Sequence, residues 1–422
     1  MTSAPRSDAA PAWLGERPLR VLHVIPAVAP RYGGPSAAVV GMCRALGAAG
    51  ADTLIATTDA DGRSRLAVQL GSSTTFDGVP VIFFRRQASE GLKWSAPLGG
   101  WLRRHVAAFD LVHVHAVFSY ASIAAGRACR ADHVPYVVRP LGTLDPWSVG
   151  RKALRKRLLL RLGARDLLSG AARMHYTTAE EGRLAESAVG PLPPGAVVPV
   201  GVDDIYFAPK GPPAPGGPYL LALSRLDAKK RLEWIVSAWH AIAGAGRLGA
   251  WRLVIAGDGD GAYVARLRDL AHRGPARDRI VFEGWVAGDA KAALIRGASL
   301  FVLPSHQENL GVAMLEALAS GVPALMTPGI NLGGEIAAAG AGWQVDDSEA
   351  AVAAGLEAAL LDDADRAARG RRAAAFADRF RWPLIVAGLM DLYRRVTTVP
   401  ADLADTRSGR PLVADRGRPA GI

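Results

Sequence analysis

The sequence predicts an α/β protein of two doubly wound parallel-sheet domains that face a central cleft. Three observations carry this expectation. The 422 residues, 50% of them hydrophobic, suffice for two ordinary domains with full cores. Each half opens with an apolar run, a turn and a helical pattern: RVLHVIPAV before Gly33-Gly34 in the first half, YLLALSRL before Lys229-Lys230 in the second. Between the halves, residues 210–218 (KGPPAPGGP) lack any apolar period and mark a linker.

Composition narrows the class. There is no run of 18 apolar residues to span a membrane, and the first twenty residues are too polar for a secretory signal. Only Cys43 and Cys129 are present, which argues against a disulfide framework or a structural zinc site and for the reducing cytoplasm. The formal charge is +11, but residues 151–165 (RKALRKRLLLRLGAR) hold seven basic residues and no acid, so the excess is local. No zinc-finger or RNA-binding signature accompanies that patch, and nucleic acid is not expected as a partner.

In chain order, residues 1–18 read as a loose arm and 19–209 as the first domain. Its opening strand ends in Pro30-Arg31-Tyr32-Gly33-Gly34-Pro35, followed by a helix from Ser36 to about Ala49. Two glycines let a ligand approach the backbone, and a plain tight turn would use the same residues. ADTLIATT and PVIFFRR are further strands. In Asp110-Leu-Val-His113-Val-His115 the period of two places both histidines on one face near the strand's C-terminal end, where open parallel sheets bind ligands. Two imidazoles are too few to argue a metal site. In YVVRPLGTLDPW, Asp145 either binds an acceptor hydroxyl or fixes the Asp-Pro turn. In the basic stretch, Leu154, Leu158 and Leu162 align at helical spacing with Arg151, Arg155 and Arg165 among them. An amphipathic face is therefore not clean. Anionic headgroups, a lipid diphosphate or solvent alone could answer this charge.

The second domain spans 219–380. Arg225 and Lys230 straddle its first turn and could converge on one diphosphate, or simply be solvated. GDGDG at 257–261 lacks GxGxxG spacing and is not read as a dinucleotide site. Asp59-Ala-Asp61 and Asp258-Gly-Asp260 have the spacing of a metal-binding pair but stand apart from the other polar groups. FVLPSHQENLGVAMLEALASGVP, from Phe301, is a strand, a loop and a helix ending at Gly321. Val312, Leu315 and Leu318 bury one face, so Glu316 beside it needs a hydrogen-bonding partner. Glu308 lies in the loop ahead of the helix, where the free amides of Asn309, Leu310 and Gly311 could hold an anion. Residues 381–399 are a last helix crossing back to the first domain, and 400–422 a loose tail.

Glu308, seven residues, then Glu316, with Gly311 between and Gly321-Val322-Pro323 after, resembles the donor signature of retaining family 4 glycosyltransferases of the GT-B fold. The likeness runs from about residue 20 to 395 and is nearest to the polysaccharide- and lipopolysaccharide-building branch. Arg231 stands where a glycine usually follows the lysine, which questions the tightness of that turn.

The resemblance implies a nucleotide-sugar donor, UDP- or GDP-linked, and a glycan or lipid-diphosphate-linked acceptor, with no metal or other cofactor. It implies that Glu308 and His115 act on the sugar and Glu316 holds the ribose. Arg225, Lys230 and the amides of Asn309 to Gly311 would meet the diphosphate, Gly284 would border the base, and Gly33, Gly34 and Asp145 would form the acceptor side. The protein is expected in the cytoplasm, with the inner membrane face as one partner open to residues 151–165. An epimerase of the same architecture and a non-catalytic sugar-nucleotide-binding protein are the alternatives.

Overall fold

The computed structural model describes residues 17–88, 90–150, 153–208 and 216–398. Most of the expected arm and linker, the whole tail, and Arg151 and Lys152 lie outside them.

Two sheets form the two lobes. The first runs, edge to edge, Gly195–Val197, Arg173–Tyr176, Tyr136–Arg139, Leu111–His115, Arg20–Ala27, Asp52–Thr58, Val79–Phe84 and Ser73–Phe76. All neighbours are parallel except the last pair, an antiparallel hairpin that sequence periodicity did not single out. The second sheet is wholly parallel: Ile280–Gly284, Arg252–Ala256, Tyr219–Leu223, Leu300–Leu303, Ala324–Met326 and Gly342–Gln344. In each, the chain first builds outward from a central strand and then returns to that strand's other flank. This creates a switch point between Arg20–Ala27 and Leu111–His115 in one lobe, and between Tyr219–Leu223 and Leu300–Leu303 in the other. Ligands bind at such points because the loops after the two strands diverge and leave a crevice.

The opening helix spans Gly34–Ala48 and the one after Gly311 spans Val312–Ala319. The last helix, Trp382–Thr397, crosses back as expected. Its Ile385, Leu389, Met390 and Tyr393 pack on Val21, Met42, Leu46, Leu111 and Val137 of the first lobe. The basic stretch is not one regular helix. Helical residues Ala153–Leu159 pass into a wider turn over Leu160–Ala164, broken at Gly163 (φ 129°), before Arg165–Ser169.

Both faces of the first sheet are covered, so alternation does not separate wet from dry residues. His113 and His115 share a face and are both fully buried. They join His23 and His175 in a chain of imidazoles: His23 Nδ1 lies 3.1 Å from His115 Nε2, and His175 Nδ1 lies 3.1 Å from His113 Nε2. His113 Nδ1 meets the Tyr393 hydroxyl at 2.8 Å and His175 Nε2 meets the Val198 carbonyl at 2.7 Å.

Burial, helped by the charge of Arg139, pulls His23 and His175 down to about 3. His113 and His115 fall as well, first through burial and then through neighbouring imidazoles. These groups are neutral when folded and free to charge when unfolded, so the unfolded chain binds more protons as pH drops below about 6.5. Stability is therefore expected to be full above that pH and to fall steadily towards pH 3, by up to about 1.4 kcal/mol per pH unit for each histidine. Urea midpoints at pH 7, 5.5 and 4.5 check this; a flat profile would contradict it.

Candidate functional site

The loops at the two switch points enclose a cleft of about 830 Å³, within the ~300–1,000 Å³ usual for small-molecule sites. On the first lobe, Pro30–Tyr32 form a single tight turn and Gly33 (φ 68°) starts the helix beyond it. The Tyr32 hydroxyl donates to Glu90 Oε1 at 2.6 Å and accepts from the Gly62 amide at 2.9 Å. Arg31 pairs with Asp61 alongside, so the glycine loop is braced from both sides.

On the second lobe the basic turn follows Tyr219–Leu223. Arg225 is exposed on the cleft wall, and among the described residues no carboxylate pairs with it. Lys230 forms an ion pair with Glu308. Burial alone would raise the Glu308 pKa, but Lys230, Lys229 and Arg225 together hold it below the ordinary value. Lys229 donates to Gln307 Oε1 at 2.6 Å and lies 4.8 Å from the centre of the Trp147 ring.

Arg231, in the place of the family's glycine, adopts the left-handed conformation a glycine would (φ 50°, ψ 41°), so the turn is as tight as usual. Its guanidinium is held by Asp347 and by His306 Nδ1 at 2.8 Å, and stacks 4.2 Å from the centre of the Trp234 ring. These contacts offset a backbone strain of order 1–3 kcal/mol. The first two glycines of GDGDG serve packing: a Cβ on Gly257 or Gly259 would stand 1.9 Å from the carbonyl oxygen of Ser224 or Leu226. They let the two turns press together.

The loop after Leu300–Leu303 is pinned through its backbone. His306 N donates to Lys229 O at 2.9 Å, Glu308 N to Gly329 O at 2.8 Å and Asn331 N to Glu308 O at 3.0 Å. With Gly311 left-handed (φ 72°), the amides of Asn309, Leu310 and Gly311 donate to no protein acceptor among the described residues. Asn309 also ties the lobes together, its Nδ2 donating to Thr177 Oγ1 at 2.9 Å.

Of the residues expected at the site, the cleft brings together Gly33, Gly34, Arg225, Lys230, Glu308, Asn309, Leu310 and Gly311. Four stand elsewhere. His115 is sealed in the imidazole chain below the cleft and does not reach the wall. Asp145 Oδ1 accepts from Ser148 N at 2.7 Å, so its carboxylate caps the short helix Pro146–Gly150 and fixes the turn. Glu316 points behind its helix, where Lys291 Nζ donates to its Oε1 at 2.7 Å. Gly284 is left-handed (φ 70°) and takes up the Gly257 amide with its carbonyl at 2.6 Å; Trp285 beyond it, half exposed, is the residue on the wall.

Neither acidic pair acts as a unit: Asp59 accepts from Arg86 N, Asp61 pairs with Arg31, and Asp260 caps the helix Gly261–His272. His23, His113 and His115 do bring ring nitrogens within 4.8 Å of one another. His23 Nδ1 and His115 Nε2 are spent on each other, among the described residues no carboxylate or thiolate joins the group, and the adjacent Arg139 charge opposes a cation there.

Sequence reasoning missed Trp285, Lys229 and Arg139 on the cleft wall. Lys229 was visible as half of a lysine pair in an arginine-rich chain. Arg139 ends an apolar strand and looked like any other arginine in that composition.

Comparisons with known proteins bear on the family and the fold. The family described as "Glycosyl transferases group 1" matches residues 217–362, and "Glycosyl transferase 4-like domain" matches 33–201. A GDP-mannose:cellobiosyl-diphosphopolyprenol alpha-mannosyltransferase of Xanthomonas oryzae is 27% identical over 395 residues, covering 90% of this chain and 98% of its own. A D-inositol 3-phosphate glycosyltransferase of Acidothermus cellulolyticus is 30% identical, and the match spans 55% of each chain, about half the relative's length. The crystal structure of Anabaena HepE with UDP and glucose superposes with a TM-score of 0.70 at 17% identity, covering 89% of this chain and 99% of its own. Sucrose-phosphate synthase from Thermosynechococcus elongatus gives 0.72 at 20%, covering 89% and 98%.

Replacing Lys230 by Met would leave Glu308 half-buried without its nearest cation. Its pKa is expected to rise, so the carboxylate would take up a proton at a higher pH than in the wild type. Affinity for a nucleoside diphosphate at pH 7 should fall at least about tenfold with the loss of that cation. Calorimetry measures the affinity and an NMR titration the Glu308 carboxylate; unchanged affinity and an unmoved carboxylate would contradict the pairing.

Proposed function

The chain belongs to the family 4 glycosyltransferases of the GT-B fold, and on that premise we propose the following reaction. It moves a sugar, with retained anomeric configuration and without a metal ion, from a UDP- or GDP-linked donor to a glycan or lipid-linked acceptor. The setting is assembly of a bacterial surface polysaccharide. The observation that carries this is the wall formed by Arg225, Lys230 and the three free amides at Asn309 to Gly311.

As the bond between the anomeric carbon and the phosphate oxygen breaks, negative charge collects on the departing diphosphate. Donors already aimed at that charge lower the barrier without having to reorganise. Glu308, kept ionised by its cations, has carboxylate oxygens to accept hydrogen bonds from the donor sugar's hydroxyls. Support for a lipid-diphosphate acceptor comes from the Xanthomonas relative, which spans nearly the whole chain and whose name gives such an acceptor.

Arg225→Ala is expected to lower kcat/KM for the true donor about 10²-fold, the usual loss for one charge-stabilising donor. Glu308→Gln should depress kcat more than it raises KM. A panel of UDP- and GDP-sugars assayed with lipid-linked acceptors tests this, with product anomers read by NMR and a chelator in parallel. Wild-type rates in both variants would refute the assignment.

The same reading extends to the membrane. Among the described residues no helix is long and apolar enough to cross one, yet Leu154, Leu158 and Leu162 are 82%, 54% and 53% exposed. One step around the surface, Arg157, Arg161 and Arg165 are exposed too. Each set is spaced four apart and the two are offset from one another by three, so the leucines form one exposed row beside an arginine row. An anionic bilayer answers both, at about 1 kcal/mol per basic residue near its surface plus the apolar area buried. Leu154, Leu158 and Leu162 changed together to Ser should cut binding to phosphatidylglycerol vesicles at least tenfold, and 0.5 M salt should weaken the wild type. Equal sedimentation of both proteins would exclude this surface.

A further inference from the structure

Arg139 ends the strand Tyr136–Arg139 at the floor of the cleft, 2% exposed. Neither its Nε nor its Nη1 finds a hydrogen-bond partner, and no carboxylate lies within ion-pairing distance among the described residues. Burial draws its pKa down to about 10, against the opposing charge of Glu181, so the guanidinium is still charged at neutral pH.

The carboxylate that influences it most is fully engaged elsewhere. Glu181 Oε1 accepts from Gly142 N at 2.7 Å, while Oε2 accepts from Thr177 N at 2.7 Å and Thr177 Oγ1 at 2.8 Å. The layer beneath holds the neutral imidazoles, of which His23 Nε2 and His115 Nδ1 are also unpartnered. A buried charge without a counter-ion costs several kcal/mol, and the one open side of this group is the cleft.

We propose that Arg139 is an oxyanion contact on the first lobe that receives a phosphate group of a bound substrate. The planar guanidinium suits a phosphate's paired oxygens, and it works from the floor while Arg225 and Lys230 work from the opposite lobe. The inference rests on the nucleotide-sugar reading above for the statement that the entering anion is a phosphate. That phosphate belongs either to the donor's diphosphate or to a lipid diphosphate on the acceptor; the chemistry at Arg139 is the same.

Isothermal calorimetry of wild type, Arg139→Gln and Arg139→Lys with UDP, GDP and farnesyl diphosphate separates the sources. Arg139→Gln should lose at least tenfold in affinity for one class, and Arg139→Lys should recover part of it. A loss confined to UDP or GDP assigns the donor; a loss confined to farnesyl diphosphate assigns the acceptor. Arg139→Gln should also melt no lower than the wild type without ligand, because it removes an unanswered charge. Affinities within twofold of wild type for all three probes, with a lowered melting temperature, would make Arg139 a structural residue and overturn the inference alone. A wild type that binds none of the probes would overturn it together with the transferase reading.

Discussion

Arg225 is an arginine that pairs with no carboxylate among the described residues, set on the wall of a cleft, and much of the molecule serves to keep it so. Net positive charge at one place repels itself, and it persists only where backbone connections are stronger than that repulsion. Here the hydrogen bonds from His306 N to Lys229 O and from Glu308 N to Gly329 O sew the basic turn, the Glu308 loop and the segment after Met326 into one surface. Glu308 neutralises Lys230 in part, which lowers the cost of crowding the cations. It leaves Arg225 and three amide hydrogens as the net attraction for a diphosphate.

The large-scale plan was legible because it follows from periodicity. Apolar runs of strand length, each followed by a helical pattern, leave little choice but covered parallel sheets, and the Glu308 stretch lies where a switch point must fall. Side-chain direction was harder to read. Glu316 was correctly seen to need a partner, but which way it would turn depended on Lys291, a residue 25 positions away on another helix. His115 lies off the cleft wall for a different reason: a period of two sorts residues by face, and in a sheet covered on both sides neither face is wet. Asp145 had two readings, and its hydrogen bond to Ser148 N fits turn fixation.

Arg231 shows how a departure from a family pattern can be absorbed. A glycine would take the left-handed backbone without strain, while an arginine takes it only if its side chain is rewarded elsewhere. Asp347, His306 and the Trp234 ring supply that reward. The turn keeps its shape, and the extra cation is spent on scaffolding rather than added to the wall. GDGDG looks like a nucleotide motif for a similarly indirect reason: Gly257 and Gly259 let the neighbouring turn come within touching distance.

The helix Trp382–Thr397 belongs by packing to the lobe that the chain left some 170 residues earlier, and Val202 N meets Phe380 O at 2.8 Å where the two passages run side by side. The second lobe is thus a guest threaded into its host, with entry and exit strapped together at the waist. A body tethered by two adjacent strands of chain can nod about the line through them more readily than it can twist or slide. Any widening of the crevice is easiest along that one hinge-like path, and it would have to break the Asn309–Thr177 hydrogen bond that joins the lobes.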